Sequence, residues 1–226
     1  MKGRLVRFLP AVATLTLVLA SCATIHSVRP LRQGERQLDA SLGGPLVTNL
    51  GVPMPIPLVS VNYLYGLTND VSVGGTAYVT DALFGTGHIE ANGIVGLFNQ
   101  KGAVPALSLE ANLHAITDFR TSVQFFPELN LTPSWELGDF LLYGGAGAMF
   151  NLYPDMADGT KRRYLAIPDF YLGASWIWSN WLFTAELKYL NPFQRSYPAA
   201  PGYVGIGEWG ALAPFLQASF RFGGGK

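Results

Sequence analysis

Two stretches of the chain carry acid–base and metal-ligating side chains at alternate positions: His88, Glu90 and Asn92 in one, Glu110, Asn112 and His114 in the other. A spacing of two places each set on one face of an extended strand. Antiparallel pairing across a turn at Asn99 to Ala103 sets His88 opposite His114, Glu90 opposite Asn112, and Asn92 opposite Glu110. Two imidazoles with Glu90 and Glu110 nearby could bind a transition metal or relay protons. The plainer role for the same residues is a hydrogen-bonded polar lining inside a narrow barrel. Glu128, Glu186, Lys188 and Arg221 occupy equivalent polar positions on other strands, which favours lining over a site. No metal or other cofactor is expected.

Strands must position these side chains. Period-two alternation between turn signals predicts ten of them, near 35–43, 57–65, 71–80, 88–98, 104–115, 123–135, 139–151, 168–178, 181–190 and 208–222. The fifth is the most regular, with Leu107, Leu109, Ala111, Leu113 and Ala115 on one face and Ser108, Glu110, Asn112 and His114 on the other. Connections alternate in length. Gly66 to Asp70, Asn99 to Ala103, Glu136 to Gly138 and Ser179-Asn180 are short and rich in Gly, Asn and Asp, whereas 44–56, 81–87, 116–122, 152–167 and 191–207 are longer. Pairing across the short turns sets Trp178 opposite Trp181, Trp176 opposite Phe183, Trp135 opposite Phe140, and Tyr63 and Tyr65 beside Val73 and Val71. Aromatics thus collect at the short-turn end, as in an interfacial girdle. Gly144-Gly145-Ala146-Gly147 falls inside a strand and reads as room for close packing rather than as a nucleotide loop.

Composition agrees with strands that face lipid. Charged residues make up 13%, aromatics 13% and hydrophobics 49%, with mean hydropathy +0.24, yet no apolar run beyond residue 22 reaches the length of a membrane helix. The expected fold is an all-β, antiparallel, up-and-down transmembrane barrel of about ten strands with both termini periplasmic. Zero formal net charge and the lack of a basic patch exclude nucleic acid as a partner. The interior prolines at 105, 127, 133, 168 and 214 are a cost to the ladder, and the sixth strand carries two of them.

The N-terminus has the layout of an export signal. Lys2, Arg4 and Arg7 precede an apolar core from Phe8 to Leu19, and small residues lead to Cys22. Leu19-Ala20-Ser21-Cys22 resembles the lipobox of bacterial lipoproteins. That resemblance implies cleavage before Cys22, a diacylglyceryl group on its sulfur, an acylated amine such as palmitate supplies, and use of the lipoprotein sorting machinery. Ala23 stands where the family's inner-membrane retention signal has aspartate, which implies an outer-membrane destination. Cys22 is the single cysteine of the chain, so no disulfide framework exists. The divisions are a signal peptide at 1–21, a lipidated N-terminus and linker at 22–34, a barrel at 35–222 and a Gly-rich tail at 223–226. Extended, a linker from Ala23 to Gly34 reaches roughly 40 Å, enough to join an inner-leaflet anchor to the first strand.

The last strand, with Leu216, Ala218, Phe220 and Phe222 alternating with Gln217, Ser219 and Arg221, resembles the C-terminal signal strand of outer-membrane barrels. It departs from that pattern in the Gly223 to Lys226 extension. The resemblance implies the barrel assembly machinery and membrane lipid as partners; the sequence sets no oligomeric state. The His-x-Ser triplet of outer-membrane lipid A deacylases and phospholipases does not occur here, and the ten-stranded omptin proteases match in strand number only. The expected role is therefore non-enzymatic: structural, surface-interacting or a very small pore. The competing readings are a soluble periplasmic barrel lipoprotein binding an apolar ligand, and a barrel enzyme or metal site using His88 and His114. A lipocalin-like protein would need a Gly-x-Trp near its first strand, which is missing.

Overall fold

The computed structural model describes residues 24–49, 52–120, 123–153, 165–196 and 202–224. The signal peptide and Cys22 lie outside the described residues. Ten long strands close into an antiparallel barrel: β1 (Glu35–Gly43), β4 (Leu58–Gly66), β5 (Val71–Tyr78), β6 (Gly87–Phe98), β7 (Ala106–Thr117), β8 (Val123–Leu137), β9 (Phe140–Phe150), β10 (Ala166–Trp178), β11 (Trp181–Arg195) and β12 (Trp209–Gly223). Each pairs with its neighbours in sequence, and β1 closes the ring by pairing with both β4 and β12. Glu35 lies opposite Gly223, so the barrel's first and last strands start and finish at the short-turn end.

Three elements stand outside the expected strand set. The segment expected as a loop at 44–56 holds a small hairpin, β2 (Leu46–Asn49) with β3 (Val52–Pro55), and a one-turn helix α1 (Val79–Leu83) caps the loop end of β5. β2 also binds the long β11–β12 connection, through Thr48 N–H to the Gly202 carbonyl at 2.9 Å.

The alternation runs inside out. Leu38, Leu113, Leu129, Leu172, Trp178, Phe183 and Leu216 are exposed on the outer surface, while Asp39, Thr76, Glu110, Thr132, Ser175 and Lys188 are buried in the lumen. Lys188, at 1% exposed, is among the most enclosed side chains of the molecule, whereas Leu172 is 64% exposed.

The registers correct three expected pairings in the same way. Trp178 opposes Trp181 and Trp176 opposes Phe183, as the sequence indicates. Elsewhere the pivot lies about one residue further along. Leu137 pairs with Phe140, leaving Trp135 opposite Leu142, because the turn is Gly138-Asp139 with Gly138 at φ 63°. Tyr65 pairs with Val73 and Tyr63 with Gly75. Between β6 and β7 the register joins Glu90 to His114, Asn92 to Asn112 and Ile94 to Glu110. Lys101 and Val104 bridge at that turn, and a bulge between Gly96 and Phe98 absorbs an extra residue. Moving a pivot by one residue moves the pairing by two, so every side chain keeps its face.

The prolines are tolerated within long strands. The β8–β9 ladder breaks between Leu131↔Ala146 and Ser134↔Tyr143, the interval that holds Pro133. Inward-facing glycines make room for rings. Tyr171 lies directly across from Gly145, and Tyr143 across from Gly173, and a Cβ on either glycine would strike the opposed ring. Gly147 is likewise overlain by Asn130 and Asp169. The Gly144 to Gly147 run is thus a packing device, as expected.

The described part of the segment expected as a linker lies inside the barrel. Thr24 to Gln33 does not leave the barrel; it runs down through the lumen from the loop end to the short-turn end. Gln33 N–H binds Asn69 Oδ1 at 3.0 Å, Leu31 N–H binds Ser72 Oγ at 2.7 Å, Ser27 N–H reaches Glu110 at 3.3 Å, and His26 N–H reaches Glu186 at 3.4 Å. Ile25, Val28 and Leu31 are buried against three apolar clusters at successive heights: Leu190, Ala213 and Phe215; Leu141, Tyr143 and Tyr171; Leu64 and Ile94. The physical reason is mutual satisfaction: the strands' inward polar atoms take up backbone groups that an external linker would leave to water.

Candidate functional site

The lumen gathers the sequence-predicted polar residues into two connected networks. In the first, β6 and β7 bring His88 and His114 together although they are not cross-strand partners, because a diagonal reaches the pair that the register separates. His88 Nε2 and His114 Nδ1 are 3.2 Å apart; the far nitrogens meet carboxylates, His88 Nδ1 with Asp81 Oδ2 at 2.7 Å and His114 Nε2 with Glu128 Oε2 at 2.8 Å. The result is a buried chain, Asp81–His88–His114–Glu128. Glu90 flanks it, 3.4 Å from His114 Nδ1, and accepts from Tyr78 O–H at 2.6 Å and from Thr76 and Asn92. The Tyr78 ring stacks on His88 with centroids 3.6 Å apart and planes 5° apart.

Glu128 also accepts from Asn130 Nδ2 at 2.8 Å, and Asn130 extends to Glu110 at 3.4 Å. Asn112 lies between Asn92 and Glu128 in the ladder and is buried. The second network centres on Glu186, which accepts from Tyr143 O–H at 2.6 Å and lies 3.6 Å from Lys188 Nζ and 3.5 Å from His26 Nδ1. His26 Nε2 is 3.7 Å from Asp169, and its ring lies 3.7 Å from that of Tyr171. At the short-turn end Arg221 donates to Gln37 at 2.7 Å, while Arg29 ties the lumen segment to Glu136 at 2.8 Å and to Ser134 at 2.9 Å.

Chemically, the first network can share and shuttle a proton, since each imidazole sits between an acceptor carboxylate and the other ring. Metal binding needs a different arrangement, and among the described residues no three His, Cys, Asp or Glu groups converge as ligands. His26, Arg29, Tyr78, Asp81, Tyr143, Asp169 and Tyr171 were not among the residues singled out by sequence. Asp81 falls in a stretch expected as loop, and only α1 turns it toward His88. His26 falls in the presumed linker. No periodicity marks either position.

No protein-family model and no curated protein matches the sequence. Among solved structures the chain resembles an outer membrane channel from Pseudomonas putida F1, at 10% identity and TM-score 0.47, covering 88% of this chain and 100% of that one. It also resembles the translocator domain of the autotransporter NalP from Neisseria meningitidis, at 12% identity and TM-score 0.44, covering 85% and 90%. A third likeness is to Ail, the attachment invasion locus protein of Yersinia pestis, at 14% identity and TM-score 0.29, covering 84% and 99%. By its own hydrogen-bonded ladders the chain is a closed ten-stranded antiparallel β-barrel.

Proposed function

We propose that this chain is a lipid-anchored outer-membrane barrel, plugged by its own N-terminal segment, with a structural or surface-interaction role and no enzymatic step. One observation carries the reading: large apolar side chains cover the outside while ionisable and hydrogen-bonding groups fill the inside. A soluble ligand-binding barrel needs the reverse, an apolar interior and a wet exterior. Water would leave Leu38, Leu172, Trp178 and Leu216 as a large uncovered apolar surface, whereas hydrocarbon is their natural solvent. In this reading the short turns and the terminal strands face the periplasm and the long connections face outward.

A ten-stranded barrel already has little free lumen, and here the segment from Thr24 to Gln33 occupies it. Solute conduction is therefore not the resting function. The carboxylate–histidine chain serves as polar lining that ties α1, β6, β7 and β8 together. The anchor rests on the Leu19 to Cys22 motif, and its partners are membrane lipid and the assembly and sorting machineries. Radioactive palmitate tests the anchor: the wild-type protein takes up label and Cys22→Ala does not, and label persisting in the variant contradicts it. Membrane fractionation with heat-modifiable gel migration tests the barrel itself. A soluble, non-modifiable protein contradicts that part.

A further inference from the structure

The lumen carries more acid than base. Asp81, Glu90, Glu110, Glu128, Asp169 and Glu186 are buried in it, and among the described residues the buried permanent cation is Lys188. Even with His26, His88 and His114 all protonated, these six carboxylates would face four positive groups. Arg29 and Arg221 do not redress the balance, because both lie at the short-turn end, on Glu136 and Gln37. Further acceptors add to the excess: Asn92 Oδ1, Asn112 Oδ1, Asn130 Oδ1 and Glu186 Oε1 are buried without a hydrogen-bond donor. The amides of Asn92 and Asn130 are fixed that way round, since their Nδ2 groups donate to Glu90 and Glu128. A wall of unpaired oxygens and surplus carboxylates suits a cation and repels an anion.

The N-terminal segment stands where such a cation would pass. His26 N–H reaches Glu186 at 3.4 Å and Ser27 N–H reaches Glu110 at 3.3 Å, so backbone donors take the place of positive charge through long, weak contacts. The firm hold lies nearer the short turns. Arg29 donates to Glu136 at 2.8 Å and to Gln100 and Ser134 Oγ at 2.9 Å, and Leu31 N–H donates to Ser72 at 2.7 Å. The Glu136 side chain is 53% exposed, so that end of the latch is open to solvent. We propose that the lumen is a pathway for small inorganic cations, closed by Thr24 to Gln33 and latched by Arg29. The proposal rests on the reading of the chain as a plugged membrane barrel. With the latch undone the segment withdraws toward the short turns, water enters, and the ionised carboxylates admit sodium or potassium while excluding chloride. The narrow lumen of ten strands keeps larger solutes out.

Planar-bilayer recordings on the full-length protein under a gradient of potassium chloride test this. Wild type should be nearly silent, and Arg29→Ala should open in discrete steps whose reversal potential shows potassium favoured over chloride at least fivefold. Adding Glu110→Gln, Asp169→Asn and Glu186→Gln to Arg29→Ala should keep the openings and cut that preference to twofold or less. Where Arg29→Ala fails to fold, as judged by heat-modifiable gel migration, Gln100→Ala with Glu136→Gln weakens the same latch from the barrel side. Openings that favour chloride, or that do not discriminate, overturn the proposal and leave the plugged-barrel reading standing. Silence of the folded latch variants likewise overturns the proposal alone. Steady wild-type conductance equal to that of Arg29→Ala overturns the plugged reading and the proposal with it.

Discussion

At the scale of single residues, the lumen is a set of shared protons and shared volumes. His88 and His114 lie 3.2 Å apart through ring nitrogens, so one donates and the other accepts, and protonating either ring changes the other. Their imidazole NMR signals should therefore titrate together in two macroscopic steps. Asp81→Asn, which changes the carboxylate bonded to His88, should move the His114 step as well; independent single-step titrations would show that the pair is not in contact. Shared volume is the argument for Gly173. A Cβ there meets the Tyr143 ring, so Gly173→Ala should cost about 1–3 kcal/mol in urea unfolding from bilayers, and the double variant Gly173→Ala/Tyr143→Ala should cost less than the sum of its parts. Additive losses would argue against the packed pair.

At the scale of elements, alternation made the strands legible and turn chemistry made their order legible. β1 has the predicted limits, and the Ser179-Asn180 hairpin has the predicted register. Hairpin pivots were less legible. Gly138-Asp139 could be centred one residue either way by composition, and a bulge such as that after Gly96 leaves no trace in a period-two pattern. Face assignments survived because an even slip preserves parity, and for the same reason His88 and His114 still meet. The helix at Val79–Leu83 and the lumen path of Thr24 to Gln33 were not legible, since both depend on side chains far away in sequence. That segment gives a prediction of its own. Deleting Thr24 to Gln33 should turn a silent protein into one with small, discrete conductance steps in planar bilayers. Unchanged silence would mean that Phe126, Tyr143, Tyr171 and Lys188 block the lumen unaided.

At the scale of the whole molecule, the argument turns on which solvent each face meets. Composition already pointed to lipid, because 13% charged residues cannot cover a water-soluble surface of the usual kind. The barrel shows where those charges went: Glu90, Glu110, Glu128, Glu186, Lys188 and Arg221 line the lumen, most of them buried, and Leu172 at mid-strand faces out. Leu172→Arg should destabilise the membrane-inserted protein by about 2–4 kcal/mol in refolding titrations if it sits near the bilayer midplane. The most direct test of the inside-out arrangement uses single nitroxide labels along β10 in a Cys22→Ala background, reconstituted in phospholipid. Power-saturation electron paramagnetic resonance should find Leu172, Ala174 and Trp176 accessible to oxygen and shielded from a water-soluble nickel chelate, with Tyr171, Gly173 and Ser175 shielded from both. Outward positions that collide freely with the nickel chelate would place that face in water and contradict the account.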